Sequence, residues 1–269
     1  MKIDLFSTRF GGPYAWGKQL AQVGNKNSRY EISLHHKAWR LLLSPFFTFA
    51  NIIHSVIPIT FHFWSKPYLL TIKGDFTGEN NLWQSWYPKA IKRADLITVP
   101  SRFLKERLNL KTALVIPNAI NFADFPIRTP APTVREEMTF LAVSNFWFEE
   151  KAQGLVKLFG ILNQLYANQR NFELLVVGDG KYLPSLKSQA KNNRFKTTFL
   201  GQKNARPYYY QADVLAYYSL HDNMPNVLLE AMAAGLPVLT NAVGAVSEFI
   251  DDGQNGFVAA TEAEYLLKL

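Results

Sequence analysis

A chain of 269 residues, 48% hydrophobic and 19% charged, can bury a substantial core. That excludes a disordered chain and allows one large or two modest domains. There is no cysteine, which excludes a disulfide framework, a thiolate zinc site and a thiol nucleophile, and fits a reducing compartment. With 29 Lys and Arg against 21 Asp and Glu, the net charge is +8 and anionic partners are favoured. No RNA-recognition, zinc-finger or helix-turn-helix signature accompanies that charge, so no nucleic-acid partner is expected.

Met1–Phe6 carries too short an apolar run for a signal peptide and reads as a strand. From there, short apolar runs alternate with amphipathic stretches, the pattern of an α/β chain. Strands are predicted at Ile3–Ser7, Tyr30–Leu34, Ile52–Ile57, Leu69–Ile72, Leu96–Val99 and Ala113–Ile116. Helices are predicted at 13–22, 37–49, 83–93 (kinked at Pro88) and 102–108. Between Leu41 and Trp64 there is no Lys, Arg, Asp or Glu, a length that meets the rule for a membrane span. Pro45 and Pro58 interrupt it, and Asn51–Val56 reads as a buried strand, so a helix followed by a strand is the expectation. Lys37, Trp39 and Arg40 beside that apolar face suit a membrane surface, whereas the face read alone suits an ordinary core.

Asn121–Glu137 is proline-rich and weakly periodic and reads as an inter-domain linker. The expected division is a domain over 1–125, a linker over 126–137 and a second domain over 138–269. The second half restarts with strand Thr139–Val143, helix 152–168, strand Glu173–Val177, helix 181–190 and strand Thr197–Leu200. Helix 205–211, strand Asp213–Tyr217, helix 225–234, strand Val238–Thr240, helix 246–250 and strand Phe257–Ala259 follow. Each helix can return the chain to a parallel neighbour, which gives a doubly wound parallel sheet whose ligands bind beyond the carboxyl ends of its strands. Glu262–Leu269 reads as the opening of a further helix, cut after about two turns of helical rise, and suggests a truncated end.

Two carboxylates, Asp222 and Glu230, stand eight positions apart around a helix start. Pro225 suits the first helical turn and Gly235 is a natural helix stop. One carboxylate therefore sits in the loop before a helix and the other on it, with backbone N–H groups of Asn226 and Val227 between them. That geometry suits a ligand carrying both phosphate and hydroxyls, such as a nucleotide sugar. Alone, Asp222 reads as a cap and Glu230 as a solvent-facing residue. Lys151 falls in a loop between strand and helix, where a lone lysine is usually just solvated. Gly11 and Gly12 follow the first strand and let backbone approach a phosphate, although any tight turn would use such a pair. Gly178 and Gly201 end two later strands.

Asp222 through Thr240 resembles the signature of the retaining glycosyltransferases of family 4: Glu, seven residues, Glu, then Ala-Met-Ala-x-Gly-x-Pro-Val. Glu230 matches the second Glu, and Asp222 stands for the first with one methylene fewer. Gly244–Ile250 and Gly253–Phe257 extend the resemblance, as do Asn118–Asn121, Ala94–Ser101 and the Gly11-Gly12 loop. It covers most of residues 90–260, is strong over 213–257 and is weak over 20–90. The family implies a GT-B fold, two Rossmann-like doubly wound parallel-sheet domains facing a cleft. It also implies a metal-independent hexosyltransferase without cofactor. The donor would be a UDP- or GDP-sugar, and the acceptor a saccharide or lipid-linked hydroxyl in surface polysaccharide or glycolipid synthesis.

By that resemblance Glu230 holds the ribose hydroxyls and Asp222 orients the donor sugar. Lys151, with amides at Gly12 and Asn226–Val227, stabilises the leaving diphosphate. Gly11, Gly178 and Gly201 border the nucleotide. The family's Arg in the Lys151 loop is absent, with Asn145 as a neutral donor nearby and the partnering glycine displaced to Gly154. Lys73, in Thr71–Asp75, stands where the family carries a His facing the reacting sugar; read alone, it is a solvated lysine at a strand end. The implied location is cytoplasmic, with peripheral contact at the inner face of the membrane. These departures motivate a second reading, a binding or partner protein that keeps the fold but not the chemistry. A dinucleotide oxidoreductase is disfavoured because no Gly-x-Gly-x-x-Gly follows a strand.

Overall fold

The computed structural model describes the chain apart from residues 9–11, 37–48, 61–65, 78–82, 127–136 and 168–170. It divides into two compact units, Met1–Asn118 and Ala119–Leu269.

The first unit contains β1 (Lys2–Phe6), α1 (Gly12–Gly24), β2 (Glu31–His35), β3 (Ile52–Ser55) and β4 (Tyr68–Thr71). It continues with α2 (Tyr87–Arg93), β5 (Leu96–Val99), α3 (Arg102–Arg107) and β6 (Leu114–Val115). The six strands form one parallel sheet in the order β2-β1-β3-β4-β5-β6. Ile53, Leu70 and Val99 are fully buried at its centre, in one core with Leu104 of α3, as befits strands covered by helices. The expected kink at Pro88 is corrected. Gln84–Trp86 form a short 3₁₀ turn and α2 starts at Tyr87, so Pro88 stands in a first turn, where its missing N–H costs nothing. Ser101 caps α3, its hydroxyl accepting the Leu104 N–H at 3.1 Å. The expected helix 37–49 falls on residues 37–48, outside the described ones. Within the uncharged stretch, Ile52–Ser55 is a strand between β1 and β4. No helix among the described residues is long and apolar enough to cross a membrane.

The second unit contains β7 (Met138–Val143), α4 (Glu149–Ala167), β8 (Phe172–Val177), α5 (Leu183–Gln189), β9 (Lys196–Gly201) and α6 (Arg206–Gln211). Then come β10 (Val214–Tyr217), α7 (Asn226–Ala233), β11 (Val238–Asn241), β12 (Phe257–Ala259) and α8 (Glu262–Leu267). Its parallel sheet runs β12-β11-β10-β7-β8-β9. The expected helix 246–250 is only a 3₁₀ turn, Val246–Glu248. Tyr265 of α8 is fully buried, and its hydroxyl donates to the carbonyls of Tyr217 and Leu239 at 3.2 and 3.0 Å. Of the expected linker, 127–136 lies outside the described residues. Just before it, Phe125 is buried 6.4 Å from the Tyr209 ring, and Asp124 pairs with Arg206 at 2.9 Å.

Each sheet reverses its winding direction once, between β1 and β3 in the first unit and between β7 and β10 in the second. Crevices at the carboxyl ends of such strands are where open α/β sheets bind ligands.

Candidate functional site

The loop after β10 and the start of α4 meet at the reversal in the second unit. Lys151 lies in the first turn of α4, not in a loop as expected, because the helix starts three residues earlier, on Glu149 and Glu150. Acidic residues in a first turn complement the helix dipole and extend the helix backwards. Gly154 lets that turn approach β10: a Cβ there would stand 2.3 Å from the Tyr218 carbonyl and 2.8 Å from Ser219 Cα. The glycine read as displaced from Lys151 is thus the residue that delivers it.

Lys151 Nζ donates to Asp222 Oδ2 at 2.5 Å. The hydroxyl of Tyr217, the last residue of β10, donates to the same oxygen at 2.5 Å, and the Asn223 N–H donates to Oδ1 at 2.8 Å. The Asp222 side chain is 13% exposed. Burial, with the Asp222 charge behind it, raises the Tyr217 hydroxyl well above its ordinary value, so it stays a donor. The reading of Lys151 as merely solvated is corrected: the side chain is only 23% exposed. A small cavity beneath it is lined by Ser144, Phe146, Leu155, Tyr217 and Tyr218.

Two residues hold the Asp222 loop from behind. The Asn241 side chain accepts the Ser219 N–H at 3.0 Å and donates to the Ser219 carbonyl at 2.8 Å. Gly244 has φ +59°, and a Cβ there would stand 2.2 Å from the Asp222 carbonyl; next to it the Ala245 N–H donates to the Asn223 carbonyl at 2.7 Å. Tyr217, Asn241 and Gly244 were not read from the sequence as site residues. The available signal was a polar group at the last position of an apolar strand, twice.

Pro225 is the N-cap of α7 rather than a member of its first turn; its backbone is extended, at φ −69° and ψ 112°. Asn226 and Val227 open the helix, where backbone N–H groups lack intrahelical acceptors. Glu230 lies one turn further on, half-buried, and accepts the Tyr209 hydroxyl at 2.8 Å. Burial raises its pKa above the ordinary carboxylate value, opposed by the Tyr209 hydrogen bond and the Arg206 charge. The two carboxylates therefore have separate protein partners, and the solvent-facing reading of Glu230 is excluded.

Gly178 is a packing residue. It has φ +146°, donates to the Gly201 carbonyl at 2.9 Å, and a Cβ on it would stand 1.9 Å from the Ser144 carbonyl. It laces together the loops after β7, β8 and β9. Gly201 has φ +72° with open space around it. Asn145 is exposed, and its side-chain oxygen accepts the Trp147 N–H at 3.0 Å.

In the first unit, Gly11 lies outside the described residues and Gly12 opens α1. Lys73 is half-buried, not solvated: Nζ donates to Asn118 Oδ1 at 2.6 Å and lies 4.3 Å from the centre of the Trp16 ring. Burial lowers its pKa to about 7. Beside it, His54 bonds Thr71 at 2.8 Å, and Thr71 bonds Thr98 at 2.6 Å. Burial and the Lys73 charge lower His54 to about 4. Among the described residues, no group of three or more His, Asp or Glu is arranged to hold a metal ion.

Residues 137–268 match the family model described as glycosyl transferases group 1. A phosphatidylinositol N-acetylglucosaminyltransferase GPI3 subunit of Saccharomyces cerevisiae is 24% identical over 71% of this chain and 46% of its own length. The N-acetyl-alpha-D-glucosaminyl L-malate synthase of Bacillus anthracis is 28% identical over 70% of this chain and 51% of its own. The chain thus spans about half the length of these relatives. Among solved structures, Anabaena Alr3699/HepE in complex with UDP and glucose superposes with a TM-score of 0.76 at 18% identity, over 100% of this chain and 88% of that one. The apo lipopolysaccharide outer core galactosyltransferase WaaB gives 0.73 at 15% identity, over 99% and 88%. The two parallel sheets and these superpositions give the chain a GT-B-like fold. With the match over 137–268, the second unit belongs to the group 1 glycosyltransferase family.

Proposed function

We propose that this protein transfers a sugar from a nucleotide diphosphate-sugar to an acceptor hydroxyl, with retention at the anomeric carbon. The observation that carries the reading is the meeting of Lys151 and Asp222 at the strand reversal of the second unit. An incoming diphosphate offers Lys151 a second anion. Hydroxyls of the donor sugar offer Asp222 new hydrogen-bond donors. Both members of the ion pair can therefore exchange partners when the donor arrives, while Tyr217 and the Asn223 N–H keep the carboxylate in place.

Glu230 accepts from the ribose hydroxyls, and the amides opening α7 face the diphosphate. UDP is the favoured nucleotide, since the HepE structure holds UDP. In the chemical step the bond from the anomeric carbon to the donor phosphate oxygen breaks. The acceptor oxygen bonds to the same face of that carbon, and its proton passes to the departing phosphate oxygen. Lys151 and the helix amides stabilise the charge gathering on that phosphate, a contribution of the electrostatic kind. No metal is required in this scheme. The acceptor is a saccharide or lipid-linked hydroxyl, with contact at a membrane surface, in keeping with relatives named for phosphatidylinositol and lipopolysaccharide.

The ion pair also favours a second reading, a donor-binding protein without turnover, because Lys151 is already neutralised by Asp222. Calorimetry with UDP- and GDP-sugars, run beside an assay for released nucleotide and transferred sugar, separates the two. Binding with turnover supports the transferase, binding without turnover supports the second reading, and no binding overturns both.

A further inference from the structure

Both units set a lysine beside a strand reversal, and of these two lysines one has an acidic partner among the described residues. Lys151 is matched by Asp222. Lys73 has only the Asn118 amide oxygen and the face of Trp16 among the described residues, and both are neutral. Asp75, two positions on, is fully buried and holds Arg107 at 3.0 Å and the Thr77 hydroxyl. His54, at the end of β3, is engaged with Thr71 and uncharged at pH 7, so it supplies no counter-charge. Asn118 follows β6, Trp16 lies on α1, and Lys73 follows β4. The three therefore converge at the carboxyl edge of the first sheet, the edge at which such sheets take ligands.

A half-buried ammonium without a counter-ion is costly. Attraction to an indole face offsets part of that cost, and one hydrogen bond to an amide leaves donors of the ammonium for a further acceptor. The component missing among the described residues is an oxyanion. We propose that the first unit carries a second ligand site at its own strand reversal, where Lys73, on Trp16 and beside Asn118, takes the oxyanion of an anionic saccharide acceptor, a phosphate or a carboxylate. The proposal rests on the transferase reading only in calling that ligand the acceptor; the anion site stands on the first unit alone.

The test is titration calorimetry at pH 7.5 in two buffers of unlike ionisation heat. The wild type, Lys73→Met and Lys73→Arg are each titrated with glucose 1-phosphate, glucuronate, uncharged glucose and UDP. An anion bound at Lys73 returns its pKa toward the ordinary value, so binding takes up protons. The wild type is expected to bind one of the anionic sugars at least about tenfold more tightly than glucose, with proton uptake, a difference typical of a charge-assisted hydrogen bond. Which of the two binds identifies phosphate or carboxylate. Lys73→Met loses that preference. Lys73→Arg keeps it without proton uptake, because arginine stays charged. UDP affinity stays within about twofold of wild type in both variants, less than the loss of one neutral hydrogen bond.

Anionic sugars binding no better than glucose, or equally well to Lys73→Met, overturn the proposal. So does an equal loss of UDP binding, which would assign Lys73 to the donor phosphates. Should Lys73→Met fail to fold, proton uptake persisting in Lys73→Arg is the overturning result. Wild type that binds an anionic sugar as described but not UDP supports this site and counts only against the donor reading.

Discussion

Asp222 accepts from a cation, a buried phenol and a backbone amide, and each answers a cost of keeping a carboxylate 13% exposed. The shortened side chain is reached by Tyr217 from the end of its own strand. Tyr217→Phe keeps the ring and removes one charge-assisted bond. It is expected to destabilise the fold by about 1–2 kcal/mol in urea unfolding; a change under about 0.3 kcal/mol, within the error of independent surface changes, would show the hydroxyl to be idle. Glu230 behaves differently, since burial raises its folded-state pKa above 4.5. As pH rises past the ordinary value, the unfolded chain releases this proton before the folded one does. Folded protein then holds more protons than unfolded, and stability falls with pH across that window. Glu230→Gln removes this loss. The variant should therefore gain stability relative to wild type between pH 4 and pH 7, and parallel pH profiles would contradict the burial argument.

Helix α4 reaches the site through one glycine. Gly154 has the Tyr218 carbonyl where its Cβ would stand, whereas Gly160, six residues on and exposed, has nothing within 4 Å. Gly154→Ala should cost about 1–3 kcal/mol by overpacking and weaken donor binding by moving Lys151. Gly160→Ala should be neutral or stabilise by up to about 1 kcal/mol through helix propensity. Matching effects from the two would mean that α4 does not depend on close approach to β10. The central strands β4, β5, β7 and β10 were legible because buried parallel strands are near-continuous apolar runs. The Glu230 helix was legible from its proline and glycine boundaries. Pro88 was misjudged because a proline inside a helical pattern signals either a kink or a start, and only the 3₁₀ turn before it decides. The pairing of Lys151 with Asp222 joins residues 71 positions apart. It became visible only once β7 and β10 were known to be neighbours.

At the scale of the whole molecule, two separate parallel sheets each bring charged residues to the carboxyl ends of their strands. The second sheet holds a matched ion pair beside a second, half-buried carboxylate. The first holds a lysine without an acidic partner among the described residues. A net charge of +8 adds a field that draws anionic ligands to both. In the proposed function the Lys151, Asp222 and Glu230 cluster is a working donor site. Its most direct test is sugar transfer from a UDP-sugar by wild type and by Glu230→Ala, with circular dichroism on both. Transfer by the wild type and none by the folded variant is expected; unchanged turnover by Glu230→Ala would remove Glu230 from the donor site.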